Sequence, residues 1–368
     1  MSTIQIIFLA ICLVSLATEL VTLLFWFFNY EEFPEQELLD FPKVSILVSA
    51  RDEESNIGLC LDSLLNQYYP KSKIEIIVAD DDSQDKTREI IESYCSLNTM
   101  ITKIDVMQDI NHLKAKANAL AQAVDIATGD YFLFTDADVK MPPGWVRGMI
   151  SRFEPNTGII SAITIVSNGS KLAEVQSLEW INAISRVKVA HDIGIPVTAI
   201  GNNMAITRKA YYEAGGFSAI KRSIIEDFEI FKLIHKKGFS YKSIIDPSVL
   251  GVTLPKENFQ ELVQQRARWM VGVFNTHFLI RTVLIVQLLY IPSLIGVISI
   301  SLPYALLISL IKLTTVVIFM RSAYQKVGRK PNWQFLITFD FYSWYINFRS
   351  FLIYFLHKEI IWKNRKYT

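Results

Sequence analysis

The stretch "DYFLFTDADVKMPPGW", Asp130–Trp145, sets two carboxylates, Asp136 and Asp138, just beyond an apolar run. Tyr131–Phe134 reads as a short buried strand, and Pro142-Pro143-Gly144 forbids its continuation. Both acids therefore sit at the mouth of a strand, where a ligand or metal can reach them. Asp-x-Asp is also an ordinary polar loop, so the surrounding chain has to decide its meaning. Upstream, Val44–Ser49 and Ile74–Ala79 read as strands, Ile101–Met107 as a third, and Tyr131–Phe134 as a fourth. Helical spacing fills the intervals: Asn56–Gln67, with Ile57, Leu61, Leu64 and Leu65 on one face, a helix from Ser83 carrying Ile90, Ile91 and Tyr94, and Lys114–Ala127. Such alternation argues for an α/β domain built on a parallel sheet with helices on both faces. Ligands bind such sheets at the carboxyl ends of the strands. That is where the acids gather: Asp52-Glu53-Glu54 after the first strand, Asp80-Asp81-Asp82 after the second, Asp136 and Asp138 after the fourth. A shared polyphosphate or metal site in one crevice is the expectation.

The ends of the chain are different. Over 368 residues, 51% are hydrophobic, and the mean hydropathy of +0.27 exceeds that of an ordinary soluble enzyme. Ile4–Phe28 is apolar and long enough to cross a bilayer. With no Lys or Arg before it and no small-residue cleavage site after it, it reads as a retained span and not a signal peptide. Thr282–Leu302 and Pro303–Met320 read as a helical hairpin through the membrane. Gln334–Leu356 is aromatic and carries Asp340 and Arg349, which suits an interfacial or re-entrant segment. Its flanks are both basic (Arg321, Lys326, Arg329, Lys330 before; Lys358, Lys363, Arg365, Lys366 after), so both belong on the cytoplasmic side. The expected division is 1–29 as an N-terminal transmembrane helix, 30–42 as an acidic linker, 43–256 as the catalytic domain, 257–277 as an interfacial segment and 278–368 as the membrane hairpin, aromatic segment and basic tail. A net charge of +1 gives no case for nucleic acid. Cys12, Cys60 and Cys95 lack paired spacing, which argues against a disulfide framework or zinc site. His112, His191, His235, His277 and His357 have no metal-ligand spacing, and no Walker-type loop occurs, which weakens zinc hydrolase and ATPase readings.

Taken in order, the motifs carry a resemblance. "VSILVSARDEESN", "IIVADDDSQDKT", "KAKANAL", "TDADV", "GNNMAITRKAYYEAGGF", "IIEDFEI", "QQRARW" and the closing "IIWKNRKYT" resemble the successive motifs of membrane-associated family 2 glycosyltransferases. The resemblance covers about Lys43 to Trp269 plus the tail. It implies a GT-A nucleotide-sugar-binding domain with N- and C-terminal transmembrane helices. It also implies a divalent cation, Mg or Mn, that neutralises charge growing on a leaving diphosphate.

By this resemblance Asp138 is the metal ligand, with Asp136 set toward the ribose or metal-bound water. Asp81 accepts from the base of the nucleotide, with Ala50, Asp80 and Glu53 beside it, and Lys116 approaches the diphosphate. Asp227 is the catalytic base for the acceptor hydroxyl, and Glu226, Gln265, Arg268 and Trp269 serve the acceptor and diphosphate. Read without the family, Asp80 and Asp82 are equally caps of the helix after Ser83, and Glu226 and Asp227 equally first-turn acids. For Asp82, which stands where relatives have Gly, the cap is the preferred reading. Arg51 replaces the usual Asn. Lys86, Lys221 and Arg222 read as solvated surface. On a helix Phe259–Phe274, Gln265 and Arg268 share a face at i, i+3, Arg268 suits phosphate, and Trp269 offers a flat apolar face. Trp and Arg are also common at membrane interfaces.

The resulting expectation is an integral membrane, inverting, metal-dependent glycosyltransferase with its catalytic domain on the cytoplasmic face, as in a bacterial inner membrane. The donor is a nucleotide-sugar, UDP-linked by the family pattern. The acceptor is a lipid or a glycan. Q-x-x-R-W occurs in lipid glycosyltransferases of the ceramide and carotenoid type and in processive polysaccharide synthases. Three convincing spans favour the lipid over a polymer channel. A nucleotidyltransferase would leave Asp227 and Q-x-x-R-W without a task, and a membrane scaffold would not need acids at three strand ends.

Overall fold

The computed structural model describes residues 2–106, 109, 113–220, 225–356, 360–362 and 365–367, the last two stretches by backbone alone. Met107, His112, Lys221, Arg222, His357, Lys358 and Lys363 lie outside the described residues. In chain order the elements are α1 (Thr3–Phe28), β1 (Val44–Ala50), α2 (Ile57–Leu65), β2 (Ile74–Asp80), α3 (Thr87–Leu97), β3 (Ile101–Asp105), α4 (Ala115–Ile126) and β4 (Tyr131–Asp136). There follow β5 (Val139–Lys140), α5 (Trp145–Ile150), β6 (Thr157–Ala162), β7 (Thr164–Val166), α6 (Lys171–Asp192), β8 (Asn203–Thr207), α7 (Arg208–Glu213), α8 (Glu226–Lys236), β9 (Ser240–Ile244) and β10 (Gly251–Thr253). The chain closes with α9 (Phe259–Asn275), α10 (Phe278–Ile298), α11 (Leu302–Lys326), α12 (Trp333–Phe355) and the hairpin β11 (Ile360–Trp362) and β12 (Arg365–Tyr367). These elements form two compact units. One holds Glu32–Ser167 and Thr198–Leu254, and the other Met1–Glu31, Asn168–Val197 and Pro255–Thr368.

The first unit is a mixed α/β fold. Its seven-stranded sheet runs β3-β2-β1-β4-β8-β6-β9. All neighbours are parallel except β8, which is antiparallel to β4 and β6. Alternation along the strands supplies both faces. Val44, Ile46, Val48, Ile74, Ile76 and Val78 join one core with α2 and α5. Leu47, Ile77, Ala79, Phe132 and Phe134 join the opposite core with α4, α7 and α8. Phe132 and Phe134 are fully buried, each worth about 2–3 kcal/mol of transferred apolar surface. The register aligns Ala50 with Asp80 and Ser49 with Asp136, so the acids after β1, β2 and β4 emerge at one sheet edge.

The stretch expected as a linker, 30–42, is not free chain. Phe33, Leu38 and Phe41 pack on the first core. The buried Arg152 donates from Nε to the Phe33 carbonyl at 2.6 Å and pairs with Glu35 at 3.5 Å. Phe and Leu among the acids supply an apolar side that composition alone conceals.

The second unit is helical. α1, α10 and α11 are long and apolar enough to cross a membrane. Gly296 lets α1 approach α10 closely, because a Cβ there would lie 2.1 Å from the Phe8 ring. The turn between α10 and α11 is residues 299–301, and Pro303 falls in the first turn of α11, where it breaks no helical hydrogen bond. α12 is one uninterrupted helix across the aromatic segment, so the chain does not turn back within it. It lies along α9, with Phe259 stacked on Tyr345 and Phe274 on Tyr354.

Residues 43–256 are not one continuous domain. α6 leaves the sheet unit and joins the helices, and its charges explain why. Arg186 pairs with Glu19 of α1 at 2.6 Å, and Lys188 reaches Asp192 at 2.5 Å and the Glu31 carbonyl at 2.7 Å. Lys188 is 1% exposed. These charges are matched within the helical unit.

Candidate active site

Lys116 stands in the first turn of α4. Its ammonium forms ion pairs with Asp136 Oδ1 at 2.6 Å and Glu226 Oε1 at 3.0 Å. Burial pulls its pKa down, but the carboxylates of Asp136, Glu226 and Asp227 outweigh that and hold it above the ordinary lysine range. Asp136 closes β4, while Glu226 and Asp227 open α8, so three elements distant in sequence meet at one ammonium. Asp227 accepts from the Gly201 N–H at 2.9 Å and from the Phe228 N–H at 2.8 Å. Burial first, then the charge of Glu226, raises its pKa to about 6 against the opposing pull of Lys116. A carboxylate with that value is largely ionised at neutral pH yet takes up a proton about one pH unit below it.

Gly201 was legible only as a letter in a motif. A Cβ at that position would lie 2.6 Å from Asp227 Oδ2, so glycine alone leaves room for the carboxylate against the backbone. Asn203 fixes the same segment. Its amide donates to the Ile163 and Val249 carbonyls at 2.8 and 2.9 Å, and its oxygen accepts from Trp145 Nε1 at 2.8 Å. Neither residue has a chemical signature in one sequence, because Gly201 works by lacking a side chain and Asn203 by bonding to residues far away in the chain.

Asp138 lies half-buried in the two-residue link between β4 and β5. Cys60 marks the convergence of the acids: burial, then the charges of Asp138, Asp136 and Glu53, push its thiol far above the usual range. Glu53 accepts from Asn56 Nδ2 at 2.6 Å, and its carbonyl receives the Asn56 and Ile57 N–H groups at 2.9 Å, starting α2. Ala50 is buried, and its carbonyl accepts the Asp81 N–H at 2.8 Å, holding Asp81 at the sheet edge.

The acids after β2 divide their work. Asp80 is fully buried and serves the turn, accepting from Ser83 N–H at 3.2 Å and Arg88 Nε at 3.0 Å. Asp82 does not cap α3. It adopts φ +59°, the left-handed conformation that explains a glycine in its place, and its side chain accepts from Gln84 Nε2 at 3.1 Å. Asp85 holds the start of α3 instead, accepting the Thr87 N–H at 2.9 Å. Asp52 and Glu54 accept the Gln84 and Lys86 N–H groups at 2.8 and 3.0 Å, tying the turn after β1 to the turn after β2. Arg51 donates to the Asp81 carbonyl at 2.6 Å.

Gln265, Arg268 and Trp269 lie on α9 in the helical unit. The sequence reading passed over Arg266 between them. It is 3% exposed and bidentate to Glu179 of α6, at 2.7 and 3.0 Å.

Comparison with known proteins follows this geometry. The description "Glycosyl transferase family 21" matches residues 7–368. Probable glycosyltransferase YdaM of Bacillus subtilis (strain 168) is 26% identical over 246 residues, 64% of this chain and 56% of that protein. Poly-beta-1,6-N-acetyl-D-glucosamine synthase of Staphylococcus aureus (strain COL) is 26% identical over 242 residues, 65% of this chain and 56% of that one. The chain thus spans about half the length of these curated relatives. Among solved structures, mannosyltransferase PcManGT from Pyrobaculum calidifontis, in complex with GDP-Man and Mn2+, superposes with a TM-score of 0.62 at 18% identity, covering 95% of this chain and 99% of that one. It shares the fold. The family differs in number from the family 2 enzymes whose motifs the sequence resembles: the chain belongs to glycosyl transferase family 21.

Proposed function

We propose that this protein is an inverting glycosyltransferase that moves a sugar from a nucleotide-sugar, UDP-linked by the motif pattern, to a hydroxyl of a membrane lipid. The observation that carries the reading is the seat of Asp227, a carboxylate raised to about 6 and held by the Gly201 N–H at 2.9 Å. Asp227 takes the proton of the attacking hydroxyl. Lys116, already within reach of Asp136 and Glu226, turns its charge toward the diphosphate, and Asp81 accepts from the nucleotide base. On α9, Arg268 grips phosphate, and Gln265 and Trp269 hold the acceptor.

The residues present fit a divalent cation. Asp136 and Asp138 supply hard carboxylate oxygens one residue apart in the chain, the donor type that Mg2+ and Mn2+ take alongside diphosphate oxygens. A Mn2+ ion accompanies GDP-Man in the structure that shares this fold. The bound ion supplies charge neutralisation of the leaving group.

Three helices long and apolar enough to cross a membrane support a membrane enzyme, and in this reading the transfer takes place on the cytoplasmic face, where nucleotide sugars are made. The inward charges of the helical unit are matched with each other: Glu19 with Arg186 and with Gln287 at 2.9 Å, and Lys312 with Asp340 at 2.5 Å. A bundle so satisfied suits a lipid approaching from the side. A second reading, a polysaccharide synthase, is favoured by the name of the Staphylococcus aureus relative.

One experiment separates the readings. The purified protein in detergent is incubated with radiolabelled UDP- and GDP-sugars, Mn2+ and a total bacterial lipid extract. A glycolipid carrying one or two sugars is expected. A ladder of long chains would establish the polymer reading instead. Asp138→Ala should abolish transfer and its dependence on the cation, and full activity of that variant in excess chelator would remove the metal role.

A further inference from the structure

The Q-x-x-R-W helix contains a second arginine, and its surroundings are built with more care than a structural ion pair needs. Arg266 and Glu179 meet through two hydrogen bonds of 2.7 and 3.0 Å. Both are nearly fully buried, at 3% and 8% exposure. The guanidinium has a third and a fourth contact. Its Nη1 donates to the side-chain oxygen of Gln265 at 2.5 Å, and its plane lies over the Trp269 indole at 4.1 Å. Trp180, next to Glu179 on α6, meets the Trp269 ring edge to face at 5.2 Å. Tyr342 of α12 donates to the other side of Glu179 at 3.4 Å.

Each contact removes one freedom. Glu179 fixes the guanidinium plane, because a bidentate carboxylate admits one orientation. The fixed plane sets one face of the indole, and Trp180 sets its tilt. With its oxygen engaged by Arg266, Gln265 is left with its NH2 as the donor it can offer. Lysine at 266 could keep the charge pair with Glu179. It could not also reach Gln265 and cover Trp269.

We propose that Glu179 and Arg266 are positioning residues for acceptor use, presetting the Gln265 amide and the Trp269 indole from α6. The proposal rests on the acceptor role assigned above to Gln265 and Trp269. It gives α6 a part in specificity, although none of its side chains need touch the substrate.

The test compares Arg266→Lys, the reversed pair Glu179→Arg with Arg266→Glu, Gln265→Ala and Trp269→Ala. Each is assayed with radiolabelled UDP-sugar and graded total lipid extract, and its thermal midpoint is measured in detergent. Arg266→Lys should raise the lipid concentration for half-maximal rate roughly ten- to a hundredfold, the scale of a displaced positioning group, while the donor concentration for half-maximal rate stays within about twofold. The reversed pair should restore the thermal midpoint but not the use of lipid, because an arginine at 179 no longer lies beneath Trp269. Recovery of both by the reversed pair would reduce Glu179–Arg266 to a structural clasp and overturn the proposal. So would unchanged lipid dependence in Arg266→Lys while Gln265→Ala and Trp269→Ala raise it. If those two alanine variants also leave lipid dependence unchanged, the acceptor reading itself falls and carries the proposal with it.

Discussion

The Lys116 cluster of the sheet unit and the buried ion pairs of the helical unit treat charge in opposite ways. In the sheet unit, Asp136, Glu226 and Asp227 crowd around Lys116, so these four groups hold more negative charge than positive. In the helical unit the charges come in matched sets: Glu19 with Arg186, Lys188 with Asp192, Lys312 with Asp340. A balanced pair is finished and asks for nothing further, whereas surplus carboxylate is costly until a cation or a proton arrives. The raised pKa of Asp227 is the local sign of that cost. The imbalance marks a place where a positive charge or a proton has still to be supplied.

The contrast can be broken most directly at Asp227. Asp227→Asn should lower turnover on labelled nucleotide-sugar about a thousandfold, within the range for a lost general base. Its thermal midpoint should hold or rise, because a poorly solvated charge is gone. A variant that keeps its activity would move the base elsewhere.

Lys188→Met probes the other side. It strands Asp192, only 4% exposed as a side chain, and should cost about 3 kcal/mol of stability. Adding Asp192→Leu should recover most of the thermal midpoint, with activity per folded molecule unchanged throughout. A loss of turnover in the double variant would show that this pair is more than scaffold.

Gly201→Ala is subtler. Its new methyl would stand 2.6 Å from Asp227 Oδ2, so turnover should fall tens of fold through misplacement of the base. Nucleotide affinity, measured by calorimetry, should stay the same.

The smallest effect is that of pH. Turnover should drop about twofold between pH 8 and pH 6 as Asp227 takes up its proton, and about tenfold per unit below that. Stability from this group runs the other way. Its folded pKa lies above the unfolded value, so the folded state holds a proton that the unfolded chain has released. The contribution is therefore greatest below the ordinary carboxylate pKa and is lost as pH rises to about 6.

Much of the sheet unit could be read from the sequence because its signals are local. Val44–Ala50, Ile74–Asp80 and Tyr131–Asp136 are apolar runs that end in an acid or within two residues of one, and the structure begins and ends them within two residues of the expectation. The three apolar spans are equally local. What escaped depends on partners far away in the chain. α6 carries Glu179, Arg186 and Lys188, and no window of sequence shows that Arg266, Glu19 and Glu31 will answer them. Gly201 escaped because its function is an absent side chain. Asp82 was misread as a helix cap because an acid just ahead of a helix usually is one; its left-handed backbone puts the side chain elsewhere.

The excursion of α6 also has a consequence for biogenesis. As the chain leaves the ribosome, Glu19 and Glu31 are already made when Arg186 and Lys188 emerge, so α6 can dock on α1 at once. Glu179 must wait through all of β8, β9 and β10 for Arg266. The sheet unit has its complete set of strands by residue 254, while one buried carboxylate of the helical unit still lacks its counter-ion. The order of translation thus lets the sheet close before the Gln265 and Trp269 helix arrives, and the Glu179–Arg266 pair that holds this helix forms only once the sheet is complete.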